Sequence, residues 1–224
     1  MRIRREMKQG GHQQDMEIII KTLSEIPAYW DGKRAVLELK EHDHQWKQME
    51  WIGFYFEYLC QKRLMSADFE IPGEKYGKVE FDSFRSINWD MKASAIKSHS
   101  HKIILNDTRA IDESIGKHGA HGLILALLDV DYNDVDRNFQ KWHTALKGGQ
   151  SQYEKDRIAR KAISRYRKTS ASLVQILLLV LNDSNREYLD IHKQGRNSDG
   201  SPRNPKYMLD IERADCFDAR GMDF

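Results

Sequence analysis

An α/β fold is what this sequence predicts, on three observations. Trp46, Met49, Gly53, Phe56 and Cys60 recur at steps of three and four within WKQMEWIGFYFEYLCQKRL, residues 46–64, the spacing of one helix face. Immediately after it, KVEFDSFRSINWDMKASA at 78–95 changes to period two, the signature of strands with two different faces. Val79 and Phe81 alternate with Glu80 and Asp82, and after a polar turn Trp89, Met91 and Ala93 alternate with Asn88, Asp90 and Lys92. Two further apolar stretches then follow. KIILND at 102–107 predicts a short strand, and HGLILALLDVDYND at 121–134 a buried strand that leaves through an acidic loop.

The remaining elements are read the same way. FQKWHTALKGG predicts a helix that stops at the Gly148–Gly149 pair. Residues 153–168 predict a second helix. LVQILLLVL at 173–181 is a core strand or a buried helix, and periodicity does not separate the two. YLDIHKQ and YMLDIERA flank KQGRNSDGSPRNPK, residues 193–206, a loop rich in turn formers. With no internal repeat, four prolines and thinly spread glycines, nothing divides the chain, and residues 1–224 are expected to form one domain.

Composition narrows the functional classes. A chain of 224 residues, 40% hydrophobic and 31% charged, has the make-up of a soluble globular protein with a sizeable core. Its longest apolar run falls short of the roughly 20 residues of a membrane helix. The basic start MRIRREMKQGGHQQ is not followed by an apolar stretch of signal-peptide length, so a cytoplasmic location is expected. Cys60 and Cys216 alone offer neither a disulfide framework nor a Cys-rich zinc site. The net charge of +2 does not by itself indicate nucleic acid.

The hairpin carries the chemistry. Period two places Glu80 and Asp82 on one face of the first arm and Asn88, Asp90 and Lys92 on one face of the second, so closure gathers carboxylates and an ammonium. Two opposed carboxylates suit a hard divalent cation, since Mg²⁺ takes oxygen ligands, keeps several waters and is bound through one or two carboxylates plus substrate phosphate. Such an ion lowers the pKa of bound water and neutralises charge on a phosphate oxygen. Lys92 would orient or activate the attacking water. The outcome is phosphodiester hydrolysis. Outward charges on a hairpin are ordinarily just solvated; here Trp89 and Met91, anchoring the opposite face, and the small open KASA stretch favour a site.

Asp82 followed by Asp90-Met91-Lys92 resembles the active site of the PD-(D/E)xK nuclease superfamily, which includes most type II restriction endonucleases. An acid two residues before a lysine also occurs at Glu6, Asp31 and Glu38, and Glu38-Leu39-Lys40 in AVLELK is the serious rival. No second strand there offers an acid across from Glu38, so that stretch is read as a solvated helix entry or short strand. Two departures stand out: Phe81 where the family name shows proline, and Asp90 where glutamate is commoner. The resemblance covers mainly residues 46–130. It implies a restriction-endonuclease-like core, with a mixed central β-sheet flanked by helices, and Mg²⁺, replaceable by Mn²⁺, held by Asp82 and Asp90. It also implies a supporting glutamate on the first helix. Glu50 and Glu57, seven residues and about 10 Å apart on one face, are the candidates, and Glu57 is the choice by position. The resemblance further implies cleavage leaving a 5′-phosphate, a homodimer cutting a symmetric site, and a cognate DNA methyltransferase in the same system. A structure-selective repair or recombination nuclease, or a non-cleaving DNA-binding protein on the same scaffold, are the alternatives.

DNA contacts are expected from about 150–210. In YEKDRIARKAISRYRKTS, Arg157, Arg160 or Lys161, Arg165 and Lys168 step by three or four, with Ile158, Ala162 and Tyr166 as a separate apolar stripe. A solvated surface helix has the same pattern, but beside a nuclease site a cationic face points to phosphates. The loop at 193–206 adds Gln194, Arg196, Asn197, Arg203 and Asn204, the residue types that pair with base edges. His99 with His101 and His118 with His121 are closely spaced, and SHSHKIILND is faintly similar to an HNH nuclease. Without Cys or acids in register such pairs are read as loop residues or phosphate contacts.

Overall fold

Two long antiparallel strands form the spine of the fold. The computed structural model describes residues 2–72, 81–96, 101–196 and 199–224, with side chains from Gly11 onward. Strands β5 (His121–Asp131) and β6 (Ser170–Leu181) pair along their whole length, with a register shift between Leu127 and Leu128. The ambiguous LVQILLLVL run is therefore strand, and its continuous apolarity follows from burial on both faces. Helices and further strands assemble around this pair. They are α1 (Arg2–Leu23), β1 (Tyr29–Asp31), α2 (Gly32–Glu41), α3 (Trp51–Leu64), β2 (Ser83–Phe84), β3 (Asn88–Ala95), β4 (Lys102–Asp107), α4 (Thr108–His118), α5 (Asn138–Leu146), α6 (Gln152–Ala159), β7 (Asp190–His192), β8 (Lys206–Asp210) and β9 (Asp218–Asp223).

The main sheet runs β1-β6-β5-β3-β2, with β9 also pairing β6, and it is mixed: β3 lies parallel to β5, the other pairs antiparallel. A second sheet, β4-β8-β7, is antiparallel. Alternation along the central strands divides the core in two. Ile124, Ala126, Ile176, Leu178 and Val180 meet α1, α2 and α3 on one face. Leu123, Leu125, Leu177, Leu179 and Leu181 meet α4 and the small sheet on the other. The α/β class and the mixed sheet flanked by helices are as the sequence predicts. Trp89 lies in register with Gly122, where any Cβ would come within 2.2 Å of the indole, so the glycine is required by close approach.

Several boundaries differ from the sequence reading. The helix expected from Trp46 begins at Trp51, because Gln45 adopts a left-handed φ of 46° and Glu50 is not yet helical at φ −89°, ψ 62°. Its buried face is also wider than the predicted one: Trp51, Ile52, Tyr55, Phe56, Leu59 and Cys60 are enclosed, whereas Met49 and Gly53 are exposed. The first hairpin arm is β2, displaced toward the turn from the predicted Val79–Asp82; Val79 and Glu80 lie outside the described residues. Glu38 sits inside α2, receiving a hydrogen bond from Tyr55 Oη at 2.8 Å, and Lys40 lies over Trp46 at 5.1 Å, so the rival acid–lysine pair serves separate packing contacts.

The basic helix expected over 153–168 ends at Ala159. Lys161 takes φ 54°, its N–H donating to the Ile158 carbonyl at 2.9 Å and that of Ala162 to the Arg157 carbonyl at 3.0 Å. This is the Schellman pattern with lysine where glycine is usual. Beyond it the chain is irregular, and the predicted apolar stripe does not pack: Ile158 is 49% and Tyr166 50% exposed.

Candidate active site

The hairpin closes around Asp90. Register pairs Ser83 with Trp89 and Phe84 with Asn88. Asp82, just before β2, grips the partner strand on either side of Asp90. Its N–H donates to the Trp89 carbonyl at 3.2 Å, and its Oδ2 accepts the Met91 N–H at 2.7 Å. The polar face of β3 is not the solvated outer face of a hairpin. Asn88 and Asp90 are buried, at 5% and 1% exposure, against the side of the sheet that carries α4 and β4.

Asp90 Oδ2 accepts hydrogen bonds from Asn106 Nδ2, at the end of β4, and from His121 Nε2 at 3.1 Å, at the start of β5. Ser114 on α4 meets the other ring nitrogen of His121 at 3.1 Å. Asp90 Oδ1 is buried and, among the described residues, has no hydrogen-bond partner. Burial alone would raise the Asp90 carboxyl, but attraction to and hydrogen bonding from His121, with the charge of Lys92, outweigh it and hold the group below its ordinary range.

Glu57 stands across the site on α3. Gln61, one turn later, donates to Glu57 Oε1 at 3.4 Å and to the Asp82 carbonyl at 3.3 Å. Burial, then repulsion from Asp82, push Glu57 up to about 8 against the opposing charge of Lys92. Burial and the Asp90 charge push Asp82 up to about 6, opposed by Lys92, the Met91 N–H and His121. His44 Nε2 lies 3.7 Å from Glu57 Oε1, but burial lowers the imidazole while Glu57 is raised, so near neutral pH this contact is not an ion pair.

Four predicted residues, Glu57, Asp82, Asp90 and Lys92, thus act on one another electrostatically at the edge of the sheet. Among the described residues no group of three or more His, Cys, Asp or Glu stands as a ready metal cage. The donor set matches a sparse site in which one or two carboxylates hold a hydrated ion, and the orphaned Oδ1 of Asp90 is an acceptor such an ion would satisfy.

The predicted DNA-contacting residues separate into two groups. The loop after β7 rises beside the site: Asn204 Nδ2 reaches Asp107 Oδ2 at 3.5 Å, one residue from Asn106, and Thr108 N–H donates to the Pro205 carbonyl at 3.0 Å. Gln194 and Arg196 hold the loop to itself, donating to the carbonyls of Asn204 at 2.8 Å and Gly200 at 2.7 Å. Arg203 is exposed, and Asn197 lies outside the described residues. The basic segment is elsewhere. Ser170 pairs with Asp131 while Asp90 pairs with Leu123, eight residues away along β5, about 26 Å at 3.3 Å per residue. Arg160, Lys161 and Arg165 are exposed; Arg157 Nη1 donates to the Ala162 carbonyl at 2.6 Å, and Lys168 is paired with Glu50 at 2.6 Å.

His121, Asn106, Ser114, Gln61 and His44 were not among the predicted site residues. The close spacing of His118 and His121 is no ligand pair: His118 ends α4 with its ring 5.1 Å from Phe84, and His121 turns inward to Asp90. His101 is exposed, 3.6 Å from Glu212, and His99 lies outside the described residues. Gln61 carried the one legible signal, its position one helical turn after Glu57. Protein-family models, curated proteins and solved structures yield no match to this chain.

The raised carboxyls have a consequence for stability. Folded Glu57 keeps its proton to about pH 8, whereas the unfolded chain loses it near the ordinary value of 4.5, so the folded state binds more protons in that window and stability falls as pH rises through it. Asp82 contributes in the same direction up to about pH 6. The lowered His44 and His143 act oppositely, but only below the ordinary histidine value of 6.5. In EDTA, thermal unfolding is therefore expected at a lower temperature at pH 8 than at pH 6.5, and Glu57→Gln should flatten that slope. An unchanged slope in the variant would contradict the assignment.

Proposed function

We propose that this chain is a Mg²⁺-dependent endonuclease that hydrolyses phosphodiester bonds in double-stranded DNA, as a sequence-specific type II restriction enzyme of the PD-(D/E)xK kind. One observation carries the proposal: in the hairpin that bears Asp82 and Asp90-Met91-Lys92, Asp90 is ionised and buried with one oxygen held by two donors and the other, among the described residues, left without any. A buried anionic acceptor with no donor costs free energy unless a cation meets it. The preceding helix with its inward glutamate and the mixed sheet flanked by helices are further features the resemblance implies.

Asp90 Oδ1 and the Asp82 carboxylate would hold the ion, with Glu57 in support. When bound, Mg²⁺ would neutralise charge on the scissile phosphate and lower the pKa of a coordinated water. Lys92 orients the water for in-line attack and stabilises the negative charge that develops on the phosphoryl oxygens. Asp82, fastened to the Met91 N–H, keeps its position relative to Lys92 through the same strand. Arg203, in the loop whose Asn204 approaches Asp107 next to Asn106, would meet DNA bases near the scissile bond. The exposed Arg160, Lys161 and Arg165, with Arg157, offer phosphate contacts on the segment that leads into the far end of β6; Lys168, neutralised by Glu50, is a weaker candidate.

On this proposal a homodimer cuts both strands of a symmetric site in the cytoplasm, Mn²⁺ replaces Mg²⁺, and a DNA methyltransferase protects the host. Among the described residues no helix is long and apolar enough to cross a membrane. Incubating the purified chain with plasmid DNA and Mg²⁺ tests the activity. Discrete fragments that disappear with EDTA are expected. Nicks confined to branched substrates would assign a structure-selective nuclease instead, and a gel shift without cleavage a binding protein.

A further inference from the structure

We propose that His121 and Asn106 are positioning residues that reserve a single oxygen of Asp90, Oδ1, for a divalent cation. The proposal rests on the cation-dependent nuclease reading for the identity of the ligand, and on geometry for everything else.

Four elements converge on one carboxylate: β3 supplies Asp90, β4 Asn106, α4 Ser114 and β5 His121. Both donors, the Asn106 amide and His121 Nε2, go to Oδ2. A carboxylate that only accepts fixes the hydrogen on Nε2. The other ring nitrogen, Nδ1, meets Ser114 Oγ 3.1 Å away, which ties the ring to α4. Ser114 and His121 are buried, at 6% and 2% exposure, and do not reach substrate; they act through the hydrogen bond that His121 makes to Asp90. With Oδ2 occupied twice, the carboxylate cannot turn to chelate through both oxygens; it presents Oδ1, the orphaned atom, and binds an ion through that oxygen only. Outer partners of this kind set ligand orientation, and their loss costs about 10–100-fold in metal affinity or activity.

The test reads ion binding rather than turnover. Mn²⁺ affinity is measured by electron paramagnetic resonance on the full chain without DNA, for the wild type, His121→Ala, Asn106→Ala, His121→Gln and Ser114→Ala, with circular dichroism to confirm folding. Wild type is expected to bind Mn²⁺. The two alanine variants at Asp90's donors should bind about 10–100-fold more weakly. Glutamine at 121, which restores an N–H, should recover part of the loss, and Ser114→Ala should lose less than either. Wild-type affinity in folded His121→Ala and Asn106→Ala would overturn the positioning role while leaving the nuclease reading intact. Absence of Mn²⁺ binding by the wild type would overturn the cation site and the positioning role together. Should His121→Ala fail to fold, Asn106→Ala and Ser114→Ala decide the matter, since Asn106 is only partly buried and Ser114 loses no more than a hydroxyl.

Discussion

Asp90→Asn is expected to reduce DNA hydrolysis by about 10³-fold or more while the protein remains folded. The amide has the shape of the carboxylate, and its oxygen can take the Oδ2 position, where Asn106 and His121 both donate. The amide nitrogen must then occupy the position of Oδ1, turning that acceptor into a donor that repels a cation. The packing survives and the site's charge does not. Because the Asp90 charge raises both Glu57 and Asp82, the variant should also lower those two carboxyls and soften the loss of stability toward pH 8. Lys92→Ala should give a cleavage defect of about 10²–10³-fold with DNA binding retained in a gel shift, since the lysine faces the carboxylates rather than the exposed basic segment. Plasmid cleavage time courses decide both cases. An Asp90→Asn protein cutting at the wild-type rate would remove Asp90 from the proposed chemistry.

How much of this was legible from residues alone depends on the range of each interaction. The strands β4 and β5, the stop after α5 and the second hairpin arm follow from local pattern, and the structure has them where the pattern puts them. Glu57 was reached by counting along a helix from a family-like position, and its partners Asp82, Asp90 and Lys92 were placed by period two. His121 and Asn106 were not reachable in that way. Their meeting with Asp90 depends on the parallel pairing of β3 with β5, where Asn88 aligns with His121, and on β4 leaving the main sheet to join β8. Neither pairing leaves a trace in sequence spacing. The basic stretch failed for a different reason. Its three- and four-residue steps continue past Ala159, but Lys161 turns left-handed and the chain departs from the helix, so the cations share a region without sharing a helix face. Propensity favours the helix there, and the Schellman closure at Ile158 and Arg157, with Arg137 held over Tyr166 at 4.2 Å, prevails over it.

The largest expected loss of stability comes from a residue outside the proposed catalytic site. Asp15, on α1, is fully buried and accepts four hydrogen bonds: from Arg85 Nη1 at 2.8 Å, Ser86 N at 3.0 Å, Ser86 Oγ at 2.5 Å and Trp89 Nε1 at 3.2 Å. These donors belong to the hairpin turn and to the strand that carries Asp90, so α1 fastens the turn that joins the two acids. Removing the carboxylate strands a partly buried guanidinium, a backbone N–H and an indole N–H together. Breaking a buried pair in this way costs about 3–5 kcal/mol, which for a domain of this size is a fall in Tm of roughly 10 °C. Asp15→Ala should therefore unfold well below the wild type, and cleavage should fall even at temperatures where the variant is folded, because the turn no longer holds Asp82 against Met91. The double variant Asp15→Ala with Arg85→Ala separates the causes. If the stranded charge dominates, removing Arg85 as well should restore part of the stability lost to Asp15→Ala alone, and the two substitutions will be non-additive. Strict additivity, or an Asp15→Ala protein that melts with the wild type, would mean that the turn is held by packing around Trp89 and not by the buried carboxylate.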